Sequence, residues 1–139
     1  MLHDWYPYSG GKLISDLWLA QPLKVALLRP TYTPNPDTHR VWSDIAAQEL
    51  AAAGGYTAGG QTLASKTVNY DAATDRTNLL AADNVWNNAT FDTAFAAIYD
   101  SSGSMPLWSL VNFEGTKSVV SGVFTIDWAA IGALYVTKV

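Results

Sequence analysis

A chain of 139 residues, 49% apolar and only 14% charged, has the material for one self-sufficient core but less charge than the roughly 25% of an average soluble domain. Its net charge of −4 comes from scattered acids, and its eight Lys and Arg residues stand singly, so no basic face for nucleic acid can be built from neighbours. The absence of cysteine excludes disulfides, zinc–thiolate sites and thiol nucleophiles.

Residues 1–12 read as an aromatic, loop-like arm carrying Trp5, Tyr6, Pro7 and Tyr8 before Gly10-Gly11. Met1-Leu2-His3-Asp4-Trp5 has no basic stretch leading into an apolar one, so no secretory signal is expected. No apolar run approaches the ~20 residues of a membrane span. Leu13, Ile14, Leu17 and Trp18 have helical spacing, which predicts a short helix over 13–19, ended by Pro22. Leu23 to Leu28 then reads as a buried strand.

Two prolines make residues 31–37 a loop, and Asp37 or Thr38 is placed to cap a helix reaching Ala47, with Val41, Trp42 and Ile45 on one side. Gly54-Gly55 and Gly59-Gly60 flank Tyr56-Thr57-Ala58, a spacing that suits a sharply bent connection or a bulge. Residues 61–70 alternate as a half-buried strand, 71–75 form a turn, and 76–82 lead back. Phe91, Thr93, Phe95, Ala97 and Tyr99 share a strand face. Further strands are predicted at 106–113, at Val123 to Trp128 with Phe124, Ile126 and Trp128 inward, and at 133–138. The pattern predicts a mainly β, antiparallel sandwich, jelly-roll-like, of seven or eight strands, with one or two short helices in the N-terminal third. No linker or repeat suggests more than a single domain over 1–139.

Catalytic patterns fail one by one. His39 lies beside Asp37 without a third ligand, and His3 is terminal, so a surface histidine is the better reading than a metal pair. Asp71 and Asp75 flank a turn but lack the acidic alternation of a calcium loop. Asp83, Asp92, Asp100 and Glu114 fall near strand ends, and nothing places two of them across a cleft as a glycosidase needs. The paired-glycine segment lacks the Gly-Lys-Ser/Thr ending and following helix of a phosphate loop. Gly103-Ser104-Met105 lacks the second glycine of a nucleophile elbow. The expectation is a binding protein, not an enzyme, with no cofactor and no metal.

Six tryptophans and seven tyrosines remain. Most fall in patterned segments and suit a core, but Trp5, Tyr6 and Tyr8 precede the first patterned element and are candidate interface anchors. Gly55, Tyr56, Gly59 and Gly60 are candidate partner contacts in the glycine-paired loop.

The series Lys24 to Leu28, Tyr32-Thr33-Pro34-Asn35-Pro36-Asp37-Thr38-His39, Glu49, and Gly55 to Leu63 is similar to small proteins encoded among the head genes of tailed bacteriophages. Val68 to Asp71, Ala82 to Trp86, Ala89 to Phe91, Ala97 to Asp100 and Val123 to Trp128 extend the resemblance over roughly 23–131. It implies a virion component made in the host cytoplasm: a capsid cement or decoration protein, homotrimeric, bound to the major capsid protein on the outer shell. It implies no catalytic residues, no nucleic acid and no membrane. Residues 1–12 depart from it by their aromatic content. The competing expectations are a tail, head-fibre or connector subunit, and a carbohydrate-binding module using Trp108 or Trp86 as a sugar platform.

Overall fold

The computed structural model describes residues 7–131 and 134–137, and side chains over 13–129. In chain order the elements are α1 (Pro7–Ala20), β1 (Leu23–Leu28), α2 (Trp42–Ile45), β2 (Gln61–Thr62), β3 (Thr67–Asp71), β4 (Arg76–Leu80), β5 (Asn84–Asp100), β6 (Leu107–Ile126), α3 (Trp128–Ile131) and β7 (Leu134–Thr137). The protein is mainly β, with two antiparallel sheets ordered β2-β1-β5-β6 and β3-β4-β7. These elements fall into two compact units, each assembled from separated stretches of chain. Because the chain passes between units several times, no single linker marks a boundary in the sequence.

The first unit holds α1, β3, β4, α3 and β7. α1 begins earlier than the apolar spacing predicts. Pro7 occupies its first position, where a missing N–H costs nothing, and Gly10 and Gly11 lie inside it. Residues 7–12 are therefore helical, and the loop-like arm reading fails for them; Trp5 and Tyr6 lie outside the described residues. Ile14, Ser15 and Trp18 turn inward, and the fully buried Trp18 indole donates from Nε1 to Leu80 O at 3.2 Å. Leu13, Leu17 and Leu19 stay exposed. Asp83 caps α3 by accepting the Trp128 N–H at 3.3 Å. Trp128 is fully buried as expected, but from a helix start and not from a strand.

The second unit holds β1, α2, β2, β5 and β6. β1 is paired over its whole length with residues 95–100 of β5. Its other edge is covered by β2 and by the segment 48–50, through Arg29 N–H to Gln48 O and Leu50 N–H to Leu27 O. A strand covered on both edges and both faces keeps a continuous apolar run, and that is how Leu-Lys-Val-Ala-Leu-Leu reads. One core cluster joins Leu28, Tyr32, Ile45 and Ala97, with Trp42, Phe95 and Leu107 packed on it. Trp42 stacks on Tyr99 at 4.4 Å, and Tyr32 meets Phe95 edge-on at 5.5 Å. A second aromatic group, Tyr56, Trp86, Phe91, Phe113 and Phe124, packs lower on the hairpin.

Three sequence boundaries move, each for a local reason. The predicted helix 37–47 shrinks to α2 and one following 3₁₀ turn. Asn35 Oδ1 holds the Asp37 N–H, and Asp44 draws in the N–H groups of Arg40 and Val41, so the helix starts only at Trp42. The predicted strand 61–70 divides into β2 and β3 around Ser65, whose φ of 49° breaks an extended run. The expected strands 106–113 and 123–128 fall largely in one 20-residue strand, β6, so the described residues form seven strands and not eight.

Candidate functional site

The glycine-paired loop is organised by Glu49. Its Oε1 accepts the Tyr56 hydroxyl at 2.7 Å and the Gly59 N–H at 2.6 Å. The Tyr56 oxygen in turn accepts the Leu27 N–H at 3.1 Å, and the Tyr99 hydroxyl donates to Gly59 O at 2.7 Å. Burial holds the Tyr56 phenol protonated well above its usual range, and the Glu49 hydrogen bond adds to it. Tyr56 is 3% exposed, so within the chain it is a rivet of the loop. Gly60 lies where a Cβ would stand 1.9 Å from Val25 O, and at Gly54 it would stand 2.1 Å from Thr90 O. These glycines let one backbone touch another, which explains the pairing without a partner. Of the residues singled out here, Gly55 is exposed, while Gly59 and Gly60 are half-buried. Tyr8 lies in α1, within the first unit.

The loop also closes one edge of β5. Thr90 N–H donates to Gly54 O at 2.9 Å, and Gln61 Nε2 donates to Val85 O at 2.8 Å. β6 closes the other edge. Bulges interrupt the pairing, and Asn88, Glu114 and Ser121 have φ near +50°. The Ser121 N–H donates to Thr90 Oγ1 at 2.9 Å, which satisfies a donor freed by its bulge.

β6 is the terminal strand of its sheet. Only its start is bridged on the far side, by Val41 opposite Pro106 and by Leu107 N–H to Arg40 O. Beyond that point, no strand among the described residues pairs with its outer edge. The strand carries two charges, Glu114 and Lys117, and no proline. Val120 is 78% exposed and Val123 61%, with Leu110 and the β5 residue Val85 also exposed. Open edges are normally defended by charge, proline or short length; here the bulges are the main defence.

Near the start of β6, a half-open cavity of about 330 Å³ lies between residues 32–45 and 107–110. Tyr32, Pro34, Trp108 and Leu110 form apolar walls, with Asn35, His39 and Ser109 among them. Burial raises the Tyr32 phenol above its usual range. Its hydroxyl meets His39 Nδ1 at 2.9 Å, and the rings stack at 5.6 Å. The Asn35 N–H also reaches Nδ1, at 3.2 Å. Trp86, by contrast, is 2% exposed, so it offers no platform to a sugar.

The carboxylates serve local structure. Asp71 accepts from Ala73 N–H and the Thr74 hydroxyl, and Asp75 accepts from the Tyr70 hydroxyl at 2.6 Å. Asp100 holds both the N–H and the hydroxyl of Ser102. Among the described residues no three His, Cys, Asp or Glu side chains form a group able to hold a metal, and no helix is long and apolar enough to cross a membrane.

Sequence reasoning missed the central stretch of β6 and the convergence of Tyr32 and Asn35 with Ser109. The open edge leaves a trace in the scarcity of charge after Leu107. The cavity leaves none, because its walls come from segments far apart in the chain. No family model, no curated protein and no solved structure matches this chain.

Proposed function

We propose that this chain is a structural component of a tailed-phage head, a cement protein that binds the outer surface of the major capsid protein as a homotrimer and catalyses nothing. The observation that carries the reading is the open outer edge of β6, with Val120 and Val123 exposed beside it. An unpaired strand edge offers a row of N–H and C=O groups to another chain, and apolar side chains beside it add burial. Three copies around a local threefold axis would present three identical edges, so that modest single contacts multiply into firm attachment. The resemblance over residues 23–131 supports the same station. The local structural use of Asp71, Asp75 and Asp100 supports binding over catalysis.

The test is occupancy on virions assembled from the genome that encodes the chain. The paired change Val120→Lys and Val123→Lys is expected to leave the circular dichroism spectrum unchanged and to remove the protein from purified heads. Full occupancy of the double variant would overturn the β6 assignment. A cryo-EM map placing the chain on the tail would overturn the cement reading itself. Removal of residues 1–6 separately asks whether Trp5 and Tyr6 add to attachment.

A further inference from the structure

We infer that the cavity between residues 32–45 and 107–110 is a binding site for a neutral sugar ring, with Trp108 as its stacking wall. The inference does not rest on the capsid reading. At about 330 Å³ the cavity sits at the lower end of the roughly 300–1,000 Å³ of small-ligand sites, so it takes a ring-sized ligand and not a folded segment. Among the described residues, none that lines it is Asp, Glu, Lys or Arg. A charged ligand would enter without a counter-charge and would lose solvation that nothing returns.

The polar groups decide between a hydroxylated ring and a plain apolar one. The Asn35 N–H can only donate, so His39 Nδ1 is its acceptor and the donor position of the ring is Nε2. That Nε2–H has no hydrogen-bond partner among the described residues. The same holds for Asn35 Nδ2, whose companion Oδ1 is engaged by Asp37 N–H, and for the Ser109 hydroxyl. Three donor groups without protein acceptors belong to residues lining a cavity that is otherwise aromatic and aliphatic. A partner's Phe or Leu would bury them unserved, at about 1–3 kcal/mol for each. A pyranose has an apolar C–H face for the indole and a rim of oxygen acceptors for the three donors.

The probe is a panel of glucose, galactose, mannose, N-acetylglucosamine, lactose and cellobiose, titrated into the ¹⁵N-labelled full chain. At least one member is expected to shift the Trp108 indole and the Asn35 side-chain amide together, saturably, in the millimolar range. Trp108→Ala should weaken binding at least tenfold. Asn35→Asp keeps Oδ1 for its turn while removing the donor, and should weaken it severalfold with the spectrum otherwise unchanged. The inference is overturned if no sugar moves these resonances at 50-fold excess over the protein, or if binding survives both substitutions. Preference for sialic or uronic acids would also overturn it, as would saturation of the same resonances by an aromatic dipeptide alone.

Discussion

Replacing Gly60 by alanine puts the close approach of the glycine loop to β1 to a direct measurement. The new Cβ would lie 1.9 Å from Val25 O and 2.7 Å from Ala26 Cα, against ordinary contact from 3.4 Å, an overlap of about 1.5 Å on backbone atoms. Neither neighbour can swing aside, because Val25 and Ala26 are fully buried, Val25 paired with Gln61 and Ile98 and Ala26 with Ala97. The φ of +72° adds the left-handed penalty of about 1–2 kcal/mol for an L-residue. Overpacking a fitted interior adds about 1–3 kcal/mol. The sum, about 2–5 kcal/mol, is a large part of a stability of about 5–15 kcal/mol. Gly103 is the control: at φ +57° a Cβ there meets nothing within 4 Å, so alanine should cost only the backbone penalty. Urea unfolding followed by tryptophan fluorescence gives both values. If the two substitutions differ by less than about 1 kcal/mol, the loop does not lie against β1 as described.

Tyr56→Phe leaves the Leu27 N–H without its acceptor and should cost about 1–3 kcal/mol in the same assay. Tyr56, Tyr99 and Tyr32 all have phenols raised by burial, with Glu49 adding to the first two, so the folded state holds their protons where the unfolded chain releases them. Their contribution is complete below the ordinary tyrosine pKa of about 10 and is lost as pH rises beyond it; absorbance titration at 295 nm should show them ionising with unfolding. Asp44 is held below the usual carboxylate range by the N–H groups of Arg40 and Val41, and Asp71 by the Thr74 hydroxyl and then the Ala73 N–H. Their contribution is present above the ordinary value near 3.8 and fades as pH falls through the folded value, a shift that carboxyl NMR titration checks. Val120→Lys alone should change stability by less than about 0.5 kcal/mol, since its side chain is 78% exposed.

The mainly β character, β1, β4 and the inward set of Ile126 and Trp128 were legible because apolar period and turn residues agree there. The failures share one cause: local signals have more than one structural use. Glu114 reads as a strand end and residues 114–122 fall between two predicted strands, yet they sit in one continuous strand whose pairing with β5 admits bulges and positive φ. Asp37 and Thr38 have capping chemistry, but Asn35 binds their segment into a turn first. Gly10 and Gly11 disfavour helix by about 1 kcal/mol each against alanine, and α1 runs through them because Trp18 fills the first unit's interior. Within the candidate site, Tyr56 and the glycines were legible as special; the hydrogen bonds that tie Tyr56 and Gly59 into the chain were not, because they depend on Glu49, seven residues before Tyr56, and on Tyr99 from β5.

The two edges of the β5–β6 hairpin show how the same backbone rule gives opposite results. Along β5, Gly54 and Gly55 let a loop approach Thr90 and Asn87 at backbone distance, and the edge is closed there, while Gly60 makes the same approach to Val25 of β1. Along β6 the positive φ angles fall on Glu114, Gly115 and Ser121, a Cβ at Gly115 would meet nothing within 4 Å, and no strand among the described residues pairs along the outer edge there. Among the described residues, the β5–β6 hairpin is closed along one edge and keeps its unused strand pairing on the other, beside Val120 and Val123. Backbone hydrogen bonds there depend little on the partner's sequence, so specificity must come from the flanking side chains. Exchanging Val123 for Thr, which keeps the β-branched shape but adds a hydroxyl, should therefore weaken attachment less than Val123→Lys. Equal loss for both would mean that apolar burial at this position, and not tolerance of the strand edge, controls docking.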